Sequence, residues 1–106
     1  MVSREKLCDT KLETPLIQIE AINGFGDPLP GILVIVTWNG SEERFYTGLI
    51  PEKDPGYADY NPAPGAVYSI RLGEGGEPAT GLSATECTDT LGNRYWGAWL
   101  LKFVQT

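Results

Sequence analysis

The stretch NPAPGAVYSIRL, residues 61–72, decides the fold class of this protein. Its first half is a corner, because proline fixes φ and glycine accepts turn conformations that other residues avoid. Its second half alternates, with Tyr68, Ile70 and Leu72 on one side and more polar residues on the other. Successive side chains of a strand point to opposite faces, so this pattern predicts a β-strand with one buried face. A slip of one residue would bury Arg71, and the alternation therefore specifies the register.

Similar strand patterns recur along the chain, separated by turn residues. Thirteen glycines and eight prolines among 106 residues favour many tight turns. The run ILVIVTW is hydrophobic and predicts a central strand buried on both faces, and the Asn-Gly pair after it favours a type I′ hairpin turn. No apolar residues recur at helical spacing over three turns. We predict an all-β protein, a single antiparallel β-sandwich of about seven strands. The predicted strands cover residues 15–21, 32–38, 44–48, 57–60, 66–72, 82–87 and 95–105.

The polar N-terminal residues lack these patterns. The opening MVSREKLCDTKLE has no apolar alternation. We therefore predict an N-terminal arm over residues 1–14 and one sandwich domain over residues 15–106. The two cysteines, Cys8 and Cys87, are compatible with a disulfide or with two buried free thiols. We predict the disulfide, because it would attach the polar arm to a late strand.

The charge of the chain restricts its partners. The net charge is −6, with 8 Lys and Arg against 14 Asp and Glu. Nucleic acid binding is not expected, because phosphates are met by Lys and Arg. No stretch approaches the roughly 18 apolar residues of a membrane-spanning helix, and the opening lacks the apolar run of a signal peptide. We expect no membrane insertion, and an exported protein would be represented here by a mature fragment or an excised domain.

A spaced pattern of glycines, prolines, aromatic and aliphatic residues extends over residues 17–72. Its members are Gly26, Pro28, Gly31, Val34, Gly56, Tyr57, Gly65, Tyr68, Ile70 and Leu72. In this pattern the chain resembles bacterial Ig-like sandwiches related to the transthyretin-like and carboxypeptidase-regulatory-like domains. The resemblance implies an Ig-like or prealbumin-like sandwich, located extracellularly or at the cell surface of a bacterium or archaeon. It does not imply one activity, since such modules serve as spacers, adhesin stalks, glycan binders and enzyme appendages.

The residue inventory argues against catalysis. The chain has no histidine, the commonest general base and zinc ligand, and neither cysteine has a CxxC partner. We predict no catalytic residue, no enzyme activity and no cofactor. The segment EKDPGYAD offers Glu52, Asp54 and Asp59 as calcium ligands, since calcium prefers oxygen donors. It lacks the regular acidic spacing of a known calcium loop, and solvated carboxylates are the alternative.

Aromatic residues give the remaining candidate site. Trp96 and Trp99 are separated by an odd number of residues, so a regular strand places them on opposite faces unless a bulge occurs at Gly97. Trp99 shares its side with Leu101 and Phe103, which predicts a core position. Trp96, together with Tyr95, is left as a possible sugar-stacking pair, and strand-end packing is the alternative.

These observations predict a non-catalytic structural or interaction module. It would be an Ig-like spacer or adhesion domain of a larger surface or secreted protein. The alternative is a carbohydrate-binding module with exposed aromatic residues. The expected partner is a protein or a glycan, and an open sandwich also permits self-association through its edge strands.

Overall fold

The computed structural model describes residues 2–12, 14–48, 55–73 and 77–105, but not the side chains of residues 2 and 9–12. All regular structure in these segments is β-strand, which confirms the predicted all-β class. The strands are β1 (Val2–Leu12), β2 (Leu16–Asn23), β3 (Leu33–Trp38), β4 (Ser41–Tyr46), β5 (Tyr57–Tyr60), β6 (Val67–Leu72), β7 (Ala79–Ser83), β8 (Glu86–Thr88) and β9 (Arg94–Gln105).

The strands form two sheets that pack on each other as a sandwich. One sheet has the order β1-β9-β2-β5, with β8 paired to β9, and the other has the order β4-β3-β6-β7. Strand β2 runs parallel to β9, from Leu16 opposite Ala98 to Asn23 opposite Gln105. The predicted wholly antiparallel arrangement is therefore wrong for this sheet. Alternation indicates which face of a strand is buried, but it carries no information about the direction of the neighbouring strand.

The described residues contain nine strands where about seven were predicted. Strand β1 falls within the segment predicted as an arm, and it pairs antiparallel with β9. The side chains of residues 3–6 are exposed, so backbone pairing places β1 without a hydrophobic pattern. The predicted strand 82–87 is divided between β7 and β8, which belong to different sheets.

The core confirms the register predicted for β6. Tyr68, Ile70 and Leu72 are 2%, 0% and 4% exposed, and they pack against Ile17 and Ile19 of the facing sheet. Each fully buried aliphatic side chain contributes about 1.5–3 kcal/mol relative to an exposed one. A one-residue slip would remove all three β6 side chains from this core.

The corner before β6 is attached to the strand by a hydrogen bond. The backbone N–H of Ala63 donates to the Tyr68 hydroxyl at 2.8 Å. Gly65, with φ of 90°, then turns the chain into the strand. The buried phenol is thus satisfied, as burial of a polar group requires.

Strand β3 is buried on both faces, as predicted. Val34 and Val36 point into the core, and Ile35 is also fully buried on the opposite face, where its register partners are Arg44 and Arg71. The hairpin that follows has φ of 46° at Asn39 and 78° at Gly40. Two consecutive positive φ values are typical of the predicted type I′ turn.

Strand β9 has neighbours along both edges. Ala98 pairs with Leu7 of β1 and with Leu16 of β2, so β1 and β2 lie on opposite edges. Trp96 likewise pairs with β1 and with Glu86 of β8, so β8 lies on the same edge of β9 as β2. Strand β9 is therefore central in its sheet, and β1 is an edge strand.

Candidate functional site

The β8–β9 hairpin positions the candidate site, and Asp89 stabilises its turn. The Asp89 carboxylate accepts hydrogen bonds from the backbone N–H groups of Leu91 and Asn93, both at 2.9 Å. Gly92 adopts φ of 84° and its N–H donates to the Asp89 carbonyl at 3.1 Å. A side chain that bonds its own turn in this way holds the two strands of the hairpin in register.

A cavity of about 290 Å³ opens beside this hairpin, lined by Glu86, Arg94, Tyr95 and Trp96. Glu86 and Trp96 are register partners and therefore share a face of the sheet. Arg94, two residues before Trp96, lies on that face too. The Arg94 guanidinium is 3.7 Å from the Glu86 carboxylate, with side-chain exposures of 80% and 50%. An ion pair this exposed contributes little to stability, so both groups are available to a ligand.

The structure places the predicted stacking pair on different faces. Tyr95 is the register partner of Cys87, one position away from the Glu86–Trp96 pair. Its hydroxyl donates to the backbone carbonyl of Cys8 at 2.8 Å, so it joins β9 to β1. Both aromatic residues line the cavity, but only Trp96 shares a face with the two charged groups.

Trp99 lies on the opposite face from Trp96, as the odd spacing predicted. It packs against the core beside Leu101 and Phe103, although it is only half-buried. The Trp99 indole N–H donates to the carbonyl of Ser83 at 2.9 Å, and the guanidinium of Arg4 lies 5.9 Å from the ring centre. The pairing of β9 with β1 shifts register at Gly97, between the Leu7–Ala98 and Leu12–Trp96 pairs, with five residue steps on β1 against two on β9. An irregularity is therefore present at Gly97, but the extra residues belong to β1 and not to β9.

Gly97 instead marks the place where a disulfide crosses β9. The bridge joins Cys8 of β1 to Cys87 of β8, which lie on opposite edges of β9. Strands on either side of a third are separated by about 9–10 Å, but these two Cα atoms are 5.8 Å apart. A register shift in β1 after Leu7 accommodates the closer approach.

The crossing leaves no room for a side chain at Gly97. A Cβ atom there would lie 2.5 Å from the Cys87 Sγ atom and 2.7 Å from the Leu7 carbonyl oxygen. The disulfide itself was predicted from the two cysteines, and the structure contains it. The role of Gly97 was missed, since a lone glycine in a strand signals a close approach without naming the group that approaches.

A second group of aromatic residues forms a structural cluster between the sheets. Trp38 lies 5.3 Å from Tyr68 and 6.1 Å from Tyr60, measured between ring centres, and Phe45 stacks on Tyr60 at 6.1 Å. Burial, followed by the nearby Glu43 carboxylate, raises the pKa of Tyr60 to about 12. These rings pack against one another, so they do not form a free stacking surface.

The structure describes only one of the three candidate calcium ligands, Asp59. Glu52 and Asp54 lie outside the described residues. Asp59, on β5, accepts a hydrogen bond from the Tyr57 hydroxyl at 3.2 Å. Burial is the main cause that raises the pKa of Tyr57, and Asp59 raises it further. Within the described segments no group of three His, Cys, Asp or Glu side chains could hold a metal ion.

A second, more open cavity lies beside the β3–β4 hairpin. Its volume is about 370 Å³. Its described lining combines small polar side chains with Trp38, Val67 and a single carboxylate, and unlike the Trp96 cavity it includes no basic side chain. The lining residues are Thr37, Trp38, Asn39, Gly40, Ser41, Glu42, Val67 and Ser69.

No protein-family model matches this sequence, and no curated protein is significantly similar to it. In the part of the chain that the structure describes, no helix is long and apolar enough to span a membrane.

Proposed function

We propose that this chain is a non-catalytic, extracytoplasmic interaction module with an Ig-like or prealbumin-like sandwich. The observation that carries the proposal is the antiparallel pairing of the first and last strands, with Val2 opposite Phe103. In a longer protein the chain would enter and leave this domain at one end. Such a domain projects from its parent chain and adds little length, which favours binding over a spacer role.

The disulfide supports an extracytoplasmic location. Small domains with a bridge over 79 residues of sequence are typical of oxidising compartments. The transthyretin-like resemblance agrees with this location and with a role in a surface or secreted protein.

Insertion of this domain between two fluorescent proteins tests the projecting geometry. Because Val2 lies opposite Phe103, energy transfer between the flanking proteins should be nearly as efficient as when a short flexible linker joins them directly, which is the control. A loss of transfer that corresponds to flanking proteins separated by the 43 Å long axis of the domain would contradict the proposal and favour the spacer.

The Trp96 cavity supports a carbohydrate ligand as a second candidate function. The indole face of Trp96 can stack on the C–H face of a sugar ring, and the flanking Glu86 and Arg94 groups can hydrogen-bond to hydroxyls. Ala98 and Leu100 continue the same face of β9 beyond Trp96. The cavity thus combines one aromatic ring, that of Trp96, with the charged groups of Glu86 and Arg94 beside it.

Affinity electrophoresis in gels that contain a soluble polysaccharide tests this second candidate. Retardation of the wild-type protein should be lost on Trp96→Ala. Tyr46→Ala is the matched control, since Tyr46 is an aromatic residue 50% exposed on the other sheet, and it should leave the retardation unchanged. Equal mobility of wild type and Trp96→Ala across neutral and acidic polysaccharides would refute carbohydrate binding at this cavity.

A further inference from the structure

We propose that the Cys8–Cys87 disulfide locks β1 onto its own chain, and that reduction lets β1 exchange with a second copy of this protein. The partner is thus an identical chain, and the interface is the edge of β9 that β1 occupies. This inference is independent of the function proposed above.

Strand β1 is held mainly by its backbone and by groups near the bridge. Residues 3–6 expose their side chains, so they bury little apolar surface. The described contacts of β1 include the main-chain ladder to β9, the Arg4–Trp99 contact at 5.9 Å and the hydrogen bond from Tyr95 to the Cys8 carbonyl. Without the covalent bridge, the free energy needed to release β1 is small compared with that of a core strand.

The connection between β1 and β2 is short for the distance that it covers. Leu12 pairs with Trp96 on one edge of β9, and Leu16 pairs with Ala98 on the other. Leu12 and Leu16 are thus separated by two strand spacings across the sheet and by two residues along β9. In a regular sheet this corresponds to about 12 Å between their Cα atoms. The four residue steps from Leu12 to Leu16 span at most about 14 Å. The connection also has to pass over β9, which makes its path longer than the straight line between its ends. A connection with so few residues for the separation of its ends favours strand exchange, because exchange removes the need to cover that distance within one chain.

A second copy is the occupant that fits the vacated edge. Release of β1 leaves those backbone N–H and C=O groups of β9 that face β1, between Ala98 and Phe103, without their ladder partners. The β1 strand of an identical chain restores every one of those hydrogen bonds in the same register. In the oxidised protein this exchange is blocked, since Cys8 is covalently bound to Cys87 of its own chain.

The chemical step is an ordinary thiol–disulfide exchange. A dithiol reductant gives two electrons and two protons to the Cys8–Cys87 bridge and becomes a disulfide, while both cysteines become thiols. The exchanged dimer then forms without further covalent change.

A cross-linking experiment on the full chain tests the exchange directly. Ser3 and Lys102 are exposed register partners on β1 and β9. In a Cys8→Ser/Cys87→Ser background, Ser3→Cys/Lys102→Cys should form a disulfide between chains, which doubles the mass on a non-reducing gel. The matched control is Thr37→Cys/Glu42→Cys in the same background, a register pair within the β3–β4 hairpin that should cross-link only within one chain.

Two outcomes would overturn the proposal. One is that the Ser3/Lys102 pair cross-links only within a chain at every protein concentration. The other is that the Thr37/Glu42 pair joins two chains, since the dimer would then exchange a different strand.

The wild-type protein gives a second measurement that avoids the substitutions. A mixture of ¹⁵N-labelled and unlabelled protein should be monomeric by native mass spectrometry when oxidised, and should form mixed dimers after incubation with a dithiol. Reduced protein that remains monomeric would refute the exchange. Loss of the native fold on reduction would refute it too, because exchange requires the rest of the sandwich to stay folded without the bridge.

Discussion

Substitution of Gly97 by alanine tests the position of the disulfide crossing. The added Cβ atom would lie 2.5 Å from the Cys87 Sγ atom and 2.7 Å from the Leu7 carbonyl oxygen. Optimal contacts between heavy atoms are about 3.5–4.0 Å, so the neighbours must move by about 1 Å. Both neighbours are constrained, one by the bridge and the other by the β1–β9 ladder.

The expected cost of Gly97→Ala is about 1–3 kcal/mol, the usual range for overpacking in a well-packed site. The backbone of Gly97 is not in the left-handed region, so the cost is steric and not conformational. For a domain of this size, 1 kcal/mol corresponds to about 4–8 °C, so Tm should fall by about 4–24 °C. Thermal unfolding followed by circular dichroism measures this shift.

Gly24→Ala provides the matched control. No atom lies within 4 Å of a Cβ at Gly24, and its φ is also outside the left-handed region. Its effect should be within about 0.5 kcal/mol of zero. A Cys8→Ala/Cys87→Ala background removes the Sγ atom, and the cost of Gly97→Ala should then decrease by about 0.5–3 kcal/mol as a coupling energy. Equal shifts for Gly97→Ala and Gly24→Ala, or no coupling to the bridge, would refute the crossing.

Three further predictions concern the core, the bridge and the alkaline limit of stability. Ile70→Asp should unfold the domain by burying an unpaired carboxylate, whereas Ser69→Asp should change the urea midpoint little. Similar decreases of the urea midpoint in the two variants would mean that the β6 register is wrong. Alkylation under denaturing, non-reducing conditions should label neither Cys8 nor Cys87 in intact-mass analysis, and two labelled thiols would exclude the bridge. Removal of the bridge should lower the free energy of unfolding by about 4–5 kcal/mol in the chain-entropy model. The pKa of Tyr60 rises from 10.0 to about 12 on folding, so its contribution to stability is present below pH 10 and lost as the pH rises to 12. In the Tyr60→Phe variant, the urea midpoint should therefore decrease less steeply between pH 10 and pH 12 than in the wild type. An equally steep decrease in both proteins would show that Tyr60 is not its cause.

The candidate site was foreseen only in part. The sequence singled out Trp96 because the odd spacing to Trp99 places them on opposite faces of β9. It could not supply Glu86 or Arg94, since their proximity to Trp96 depends on the register of the β8–β9 hairpin. It paired Tyr95 with Trp96 by adjacency, although neighbours in a strand point in opposite directions.

The sequence by itself determined the all-β class, the burial of both faces of β3, the buried face of β6, and the type I′ turn at 39–40. These features depend on local periodicity and on backbone preferences of single residues, which a sequence carries directly. Only the tertiary structure decided that β1 is a strand, that β2 runs parallel to β9, and that the disulfide crosses at Gly97. Strand direction, edge pairing and close approach are set by contacts between residues far apart in the chain. A polar strand such as β1 is placed by backbone hydrogen bonds and a covalent bridge, and neither leaves a hydrophobic pattern in the sequence.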